Sequence, residues 1–193
     1  MPTSSAAHRL DHRRPLVLDT RELGRRPGSM LPVRRHVPAP ADLGGELVGV
    51  PESAEIDLDL RMESVTEGVL VSGTVTGPIT GECARCLEPI HDTLSVDVQE
   101  LFAYPASATD ETTDDDEVSR IAGDLLDLEP VVRDAVVLAL PLVPLCSPDC
   151  PGLCATCGQP WDSLPEEHSH EQTDPRWAAL SALTPAAEQP DRH

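Results

Sequence analysis

Ala54-Glu55-Ile56-Asp57-Leu58-Asp59-Leu60-Arg61-Met62 alternates without a fault: Ile56, Leu58, Leu60 and Met62 fall on one side of an extended chain, and Glu55, Asp57, Asp59 and Arg61 on the other. Successive side chains of a β-strand point to opposite faces, so this stretch predicts a strand with one face in a core and one in water. Working forward, Ser64 to Gly68 reads as a hairpin turn and Gly68 to Thr76 as a second strand, its Val69, Val71 and Val75 on one face. Ile79 and Thr80 open a third, short strand, and Thr93 to Leu101 gives a fourth with Leu94, Val96 and Val98 facing in. From Leu125 to Leu140 the period changes, with Leu128, Val131, Val132, Ala135, Val136, Ala139 and Leu140 at helical spacing. Pro130 suits the first turn of that helix, Asp127 and Glu129 suit its positive end, and Pro141 stops it.

The predicted fold class is therefore α+β: a small antiparallel sheet or partial barrel covered by one helix, with a zinc-knuckle cysteine site and flexible ends. Working backward from residue 54, Pro2 to Pro40 mixes Arg, Pro and small residues, and only Pro15-Leu16-Val17-Leu18-Asp19 has the look of a short strand. Thr20 to Gly28 suggests one helical turn ended by Gly24 or Gly28. The expected organisation is a basic disordered arm over 1–15, a single zinc-binding domain over 16–160, and a mostly disordered tail over 161–193. Within the domain, 106–117 is an acidic loop whose like charges keep it extended. An EF-hand reading of that loop fails, because the spaced ligands and central Gly are absent.

With only Phe102, Tyr104, Trp161 and Trp177 as aromatics, the core has to be aliphatic. The formal charge is -20, and all fourteen basic residues are Arg. Eight of them (9, 13, 14, 21, 25, 26, 34 and 35) lie in residues 1–35 beside Asp11, Asp19 and Glu22, which gives that segment +5 and leaves -25 for the rest. A basic arm on an acidic body suits contact with RNA or with an acidic protein surface, or a solubilising leader. No stretch approaches the ~20 apolar residues of a membrane span, and Met1 to Met30 lacks the apolar centre of a secretion signal. A cytoplasmic protein without a membrane partner is expected.

Six cysteines in a reducing compartment point to metal rather than disulfides. They form two clusters, Cys83-Ala84-Arg85-Cys86 and Cys146-Ser147-Pro148-Asp149-Cys150-Pro151-Gly152-Leu153-Cys154-Ala155-Thr156-Cys157-Gly158. A two-residue gap turns both thiolates onto one side of a tight loop, which is half of a tetrahedral zinc site. The favoured ligand set is Cys83, Cys86, Cys154 and Cys157, because both C-x-x-C turns look like knuckles and Gly158 tolerates a left-handed backbone. Two other sets stand beside it: Cys83 and Cys86 with Cys146 and Cys150, and a local site of Cys146, Cys150, Cys154 and Cys157. His168 and His170 read as solvated tail residues. Four thiolates make a closed structural site, one zinc per chain, rather than a catalytic centre with an open position. Neither pair opens a helix of a βαβ unit as a dithiol catalyst would, and the spacing matches no ferredoxin run. Phosphate loops, Ser-His-Asp arrangements and nucleophile elbows are missing, so neither catalysis nor a small-molecule substrate is predicted.

Three stretches together resemble the YceD family: Glu82-Cys83-Ala84-Arg85-Cys86-Leu87-Glu88-Pro89, Asp124-Leu125-Leu126-Asp127-Leu128-Glu129-Pro130, and the run from Leu138 to Gly158. The opening Leu18-Asp19-Thr20-Arg21-Glu22-Leu23-Gly24-Arg25-Arg26-Pro27-Gly28 is similar to that family's first segment, so the resemblance spans roughly residues 16–158. It implies a non-catalytic role in large-subunit ribosomal RNA accumulation and ribosome biogenesis, with ribosomal RNA, a ribosomal protein or an assembly intermediate as partner. It also implies that relatives lacking the second C-x-x-C would use Cys83, Cys86, Cys150 and the position of Cys146. All six thiols therefore stay candidates. RNA stacking is poorly served, since Phe102 and Tyr104 nearly exhaust the aromatics a stacking sheet needs. The competing class is a redox-responsive zinc-binding regulator. The histidine that zinc-binding anti-sigma factors carry four residues before the C-x-x-C is replaced here by Ile79 or Cys150.

Overall fold

The computed structural model describes residues 10–112, 118–170 and 176. The chain divides into two compact units, Met1–Cys150 and Pro151–His193. Part of the expected arm (1–9), part of the acidic loop (113–117) and most of the expected tail (171–175 and 177–193, with Trp177) lie outside the described residues.

The first unit is built on two sheets. Its strands are β1 (Val17–Asp19), β2 (Met30–Pro38), β3 (Leu43–Gly44), β4 (Val48–Val50), β5 (Glu55–Ser64), β6 (Gly68–Glu82), β7 (Pro89–Ala103), β8 (Ser119–Arg120) and β9 (Leu125–Asp127). A short helix, α1 (Ala108–Thr112), precedes β8, and the main helix, α2 (Glu129–Ala139), follows β9. This is the expected α+β class: mostly sheet, with one main helix. Among the described residues no helix is long and apolar enough to cross a membrane.

β5 buries Ile56, Leu58, Leu60 and Met62, as its alternation requires. It runs antiparallel to β6, with Leu58 opposite Val75 and Met62 opposite Val71. β6 is the spine. Along its whole length it pairs with β7, from Gly68 opposite Ala103 to Glu82 opposite Pro89. Its other edge serves β5 up to Thr76 and then β4 at Thr80 and Gly81. The third short strand expected at Ile79 and Thr80 is therefore the continuation of the second. Pro78 falls where that edge changes partner, a place where a missing ladder donor is tolerated. Gly73 lets β5 close on β6: its φ is +148°, and a Cβ there would lie 2.2 Å from the Asp59 carbonyl oxygen.

β2 is a strand where the sequence suggests only an arm. It is an edge strand paired with β5 and buries only Val33 and Val37, so little periodicity shows. Its outer face pairs charge with β5, Arg34 with Asp59 at 3.1 Å and His36 with Asp57. Pro32 and Pro38 are both exposed, and edge strands are where proline is accepted. Instead of continuing a helix back to Leu125, residues Leu125–Asp127 pair with β1, which seals Leu18 and Leu126 from solvent. α2 starts at Glu129 with Pro130 in its first turn and turns Val132 and Val136 into the core. Arg14 reaches from the N-terminal segment to Asp127 (3.4 Å) and Glu129 (2.5 Å), and Arg133 donates to the Ala41 carbonyl (3.0 Å). The buried Ser64 hydroxyl meets the Tyr104 hydroxyl at 3.1 Å, and the Arg25 guanidinium stacks 5.0 Å from the Tyr104 ring.

The second unit holds Trp161–Ser163 as a single 3-10 turn. Leu153 and Pro160 face each other across an antiparallel bridge, closed by the Trp161 amide donating to the Gly152 carbonyl (2.9 Å).

Candidate metal centre

The β6–β7 hairpin is fifteen residues long on each side, and its tip is the first C-x-x-C. Three backbone hydrogen bonds shape that tip. The Cys83 amide donates to the Glu88 carbonyl (2.9 Å), the Leu87 amide donates to the Cys83 carbonyl (2.9 Å), and the Ala84 amide donates to the Pro144 carbonyl (2.8 Å). Closing so tight a loop puts Leu87 at φ +63° although it is not glycine. The third bond ties the tip to the segment leaving α2, and that segment carries Cys146 and Cys150. Arg85 adds a clasp, its Nη1 donating to the Cys150 carbonyl at 2.9 Å.

Four sulfurs meet there. Cys83 Sγ lies 3.8 Å from Cys150 Sγ, and Cys86 Sγ lies 3.5 Å from Cys146 Sγ. All four sulfurs are within 4.8 Å of one another. These are no disulfide distances, since an S–S bond is ~2.05 Å. Four thiolates each ~2.3 Å from a tetrahedral zinc would stand about 3.8 Å apart, and the observed separations fit that geometry.

The acidities fit a cation as well. Burial works against ionising Cys83, yet backbone amides of Cys86, Cys146 and Arg85 directed at its sulfur hold its pKa down to about 6. Cys146 goes the other way, pushed up to about 12 by the thiols of Cys150 and Cys86 beside it. One thiolate forms readily and the last is opposed by its neighbours. A dication at the centre removes that opposition, and zinc-bound thiols are deprotonated outright.

The second C-x-x-C lies in the other unit. The Cys154 amide donates to the Gln159 carbonyl (2.8 Å), and the Gly158 amide donates to the Cys154 carbonyl (2.8 Å), with Gly158 at φ +70°. Beside this turn stand His168, whose Nε2 is 3.6 Å from Cys157 Sγ, and His170, its ring centroid 4.5 Å from that of His168. Cys154, Cys157, His168 and His170 each offer a ligand atom within 4.8 Å of the others. The Cys154 thiol is held down to about 6 by the amides of Cys157 and Thr156 and by the His168 side chain.

The six predicted candidates thus fall into two groups. Within the first unit Cys83 and Cys86 meet Cys146 and Cys150, and within the second Cys154 and Cys157 meet His168 and His170. His168 and His170, read from sequence as solvated, adjoin Cys154 and Cys157. Trp161, whose ring stands edge-on to His168 with centroids 5.5 Å apart, is the signal that could have found them. A large aromatic in a chain with so few marks a place where something packs. A third group, His36 with Glu55 and Asp57, is exposed and amounts to contact across the β2–β5 pair.

Comparison with known proteins bears on this arrangement directly. The family model described as "Large ribosomal RNA subunit accumulation protein YceD" matches residues 71–184, which takes in all six cysteines and both histidines. This chain belongs to the YceD family. An uncharacterized protein of Mycobacterium tuberculosis is 55% identical over 166 residues, covering 86% of this chain and 80% of the relative. One from Mycobacterium leprae is 48% identical over 171 residues, covering 88% and 77%. The uncharacterized protein YlbN of Bacillus subtilis is 30% identical over 126 residues, covering 65% and 69%. No solved structure matches the chain. The YceD family is named for accumulation of the large ribosomal RNA subunit and not for a reaction, and no catalytic family is indicated.

Proposed function

We propose that this YceD-family chain is a non-catalytic, cytoplasmic factor of large-subunit biogenesis whose hairpin tip is locked by a structural zinc on Cys83, Cys86, Cys146 and Cys150. The observation that carries the metal is the four-sulfur cluster itself, at separations a tetrahedral zinc requires. Its role is to bind the end of the long hairpin to the chain leaving α2, so that the sheet and helix present one fixed surface.

For the partner, the charge on that surface favours a basic ribosomal protein over RNA. Beyond Asp59, which is paired with Arg34, β5 presents Glu55, Asp57 and Glu63, and β7 presents Asp92 and Asp97. Four of the eight arginines that suggested an RNA-binding arm have partners of their own: Arg14 with Asp127 and Glu129, Arg21 with Asp19, Arg34 with Asp59, and Arg25 on Tyr104. Phosphate binding needs unspent cations, whereas an acidic face attracts a basic protein at long range.

The test is depletion of the chain in its host, with sedimentation profiles and large-subunit RNA levels followed, and titration of purified chain against basic large-subunit proteins and large-subunit RNA. A fall in large-subunit RNA together with salt-sensitive binding to a basic protein is expected. Unchanged large-subunit RNA overturns the biogenesis role, and tight RNA binding without protein binding overturns the choice of partner. One observation favours the redox reading: Cys146 is exposed and 3.5 Å from Cys86, so hydrogen peroxide could take two electrons from this pair, forming a disulfide and water and releasing the metal. Zinc release by peroxide with normal ribosome profiles would put that reading first.

A further inference from the structure

The described stretch of the second unit, residues 151–170, has a defined backbone and little apolar burial among its own described residues. Of its described residues, Cys154 alone appears among the buried hydrophobic side chains, and the core cluster ends at Leu140. Yet residues 152–168 are closed by a bridge, a 3-10 turn and a chain of backbone bonds from Gly152 to His168. A segment this small cannot offset its ordering entropy by burial and needs a cross-link, in a protein whose cysteines are all unpaired.

We propose that residues 151–170 fold around a second zinc of their own, held by Cys154, Cys157, His168 and His170. Four donors converge within 4.8 Å, two of them thiols on a knuckle turn and two of them imidazoles. Two thiolates and two neutral imidazoles form a recognised tetrahedral zinc set and carry a net charge of zero with the dication, against -2 for four thiolates. His168 presents Nε2 to the centre, 3.6 Å from Cys157 Sγ, while its ring is steadied by the Trp161 edge. Cys157 and His170 are both exposed, so this zinc exchanges faster than one on Cys83, Cys86, Cys146 and Cys150, of which only Cys146 is exposed. The metal replaces the missing core, and in its absence residues 151–170 lose their turns.

The proposal rests on this unit alone and stands or falls apart from the four-cysteine site. The experiment uses the untagged full chain and its His168→Ala/His170→Ala variant, with zinc counted by plasma mass spectrometry, cobalt(II) spectra recorded, and zinc-dependent protease protection of 151–170 followed. Far-ultraviolet circular dichroism confirms that the sheet of the first unit is retained in the variant. The expected result is about two zinc equivalents falling to about one, loss of the mixed thiolate–imidazole cobalt bands with the four-thiolate bands retained, and cleavage of 151–170 in the variant. One equivalent in the wild type and none in the variant upholds this site and sinks the four-cysteine one. Equal metal content in the two proteins, with protection of 151–170 insensitive to zinc, overturns the proposal.

Discussion

The turns at 83–88 and 154–159 are built alike and completed differently. In each, the first cysteine's amide donates to the carbonyl five residues on (2.9 and 2.8 Å), its carbonyl accepts from the amide four residues on (2.9 and 2.8 Å), and that fourth residue has positive φ. Around them everything changes. The first turn caps a long hairpin, buries Cys83 and Cys86, and finds its partners on the chain returning from a helix. The second stands on a short loop where Cys154 alone, among the described residues of its unit, is a buried hydrophobic side chain, and it has His168 and His170 beside it. A C-x-x-C turn is thus a local device, and the identity of the other two donors is a matter of topology.

The strongest way to break the comparison is Cys83→Ser with Cys150→Ser. A lost structural metal and an opened hairpin tip should destabilise the first unit by about 4 kcal/mol or more in urea unfolding, whereas Cys154→Ser with Cys157→Ser should leave that transition in place. Equal losses from the two pairs would mean the turns are not independent. Next in size is Arg85→Ala, which frees the Cys150 carbonyl of its charged donor. It should cost ~1.5 kcal/mol and speed zinc loss to a chelator, an effect with no counterpart in the second turn. The αL positions sharpen the likeness in opposite directions. Gly158→Ala should weaken zinc retention by the second unit by ~1 kcal/mol, read by chelator competition. Leu87→Gly relieves a strained φ of +63° while giving up little burial, and should raise the midpoint of unfolding by a fraction of a kcal/mol.

Much of the sheet was legible because β5, β6 and β7 advertise their faces: one side meets a continuous core, so period-2 alternation survives in the sequence. β2 was hidden because an edge strand buries two valines and spends its other face on ion pairs, which leaves a pattern of charge rather than of hydrophobicity. Gly77-Pro78 looked like the end of a strand and is a change of partner along one edge. The knuckles themselves were readable from spacing. The grouping of the donors was not, since spacing alone does not say that Cys146 and Cys150 stand beside Cys83 and Cys86, or that His168 and His170 stand beside Cys154 and Cys157. His168 and His170 sit among Pro and Glu residues that argue for solvent, and only the Trp161 ring contact argues otherwise.

The pairing of β1 with β9 has a further consequence for how this protein comes to be. Val17 and Leu18 leave the ribosome early and have no strand to join until Asp127 and Leu126 have been synthesised. Cys83 and Cys86 likewise wait for Cys150, the last residue of the first unit. Synthesis is vectorial, so for most of translation the nascent chain carries an unsealed sheet edge and an unmatched pair of thiols. In the second unit, by contrast, the backbone bonds and donor group described between Gly152 and His170 join residues made within moments of one another. Birth order thus assigns the late, all-or-none step to the large unit and the quick one to the small.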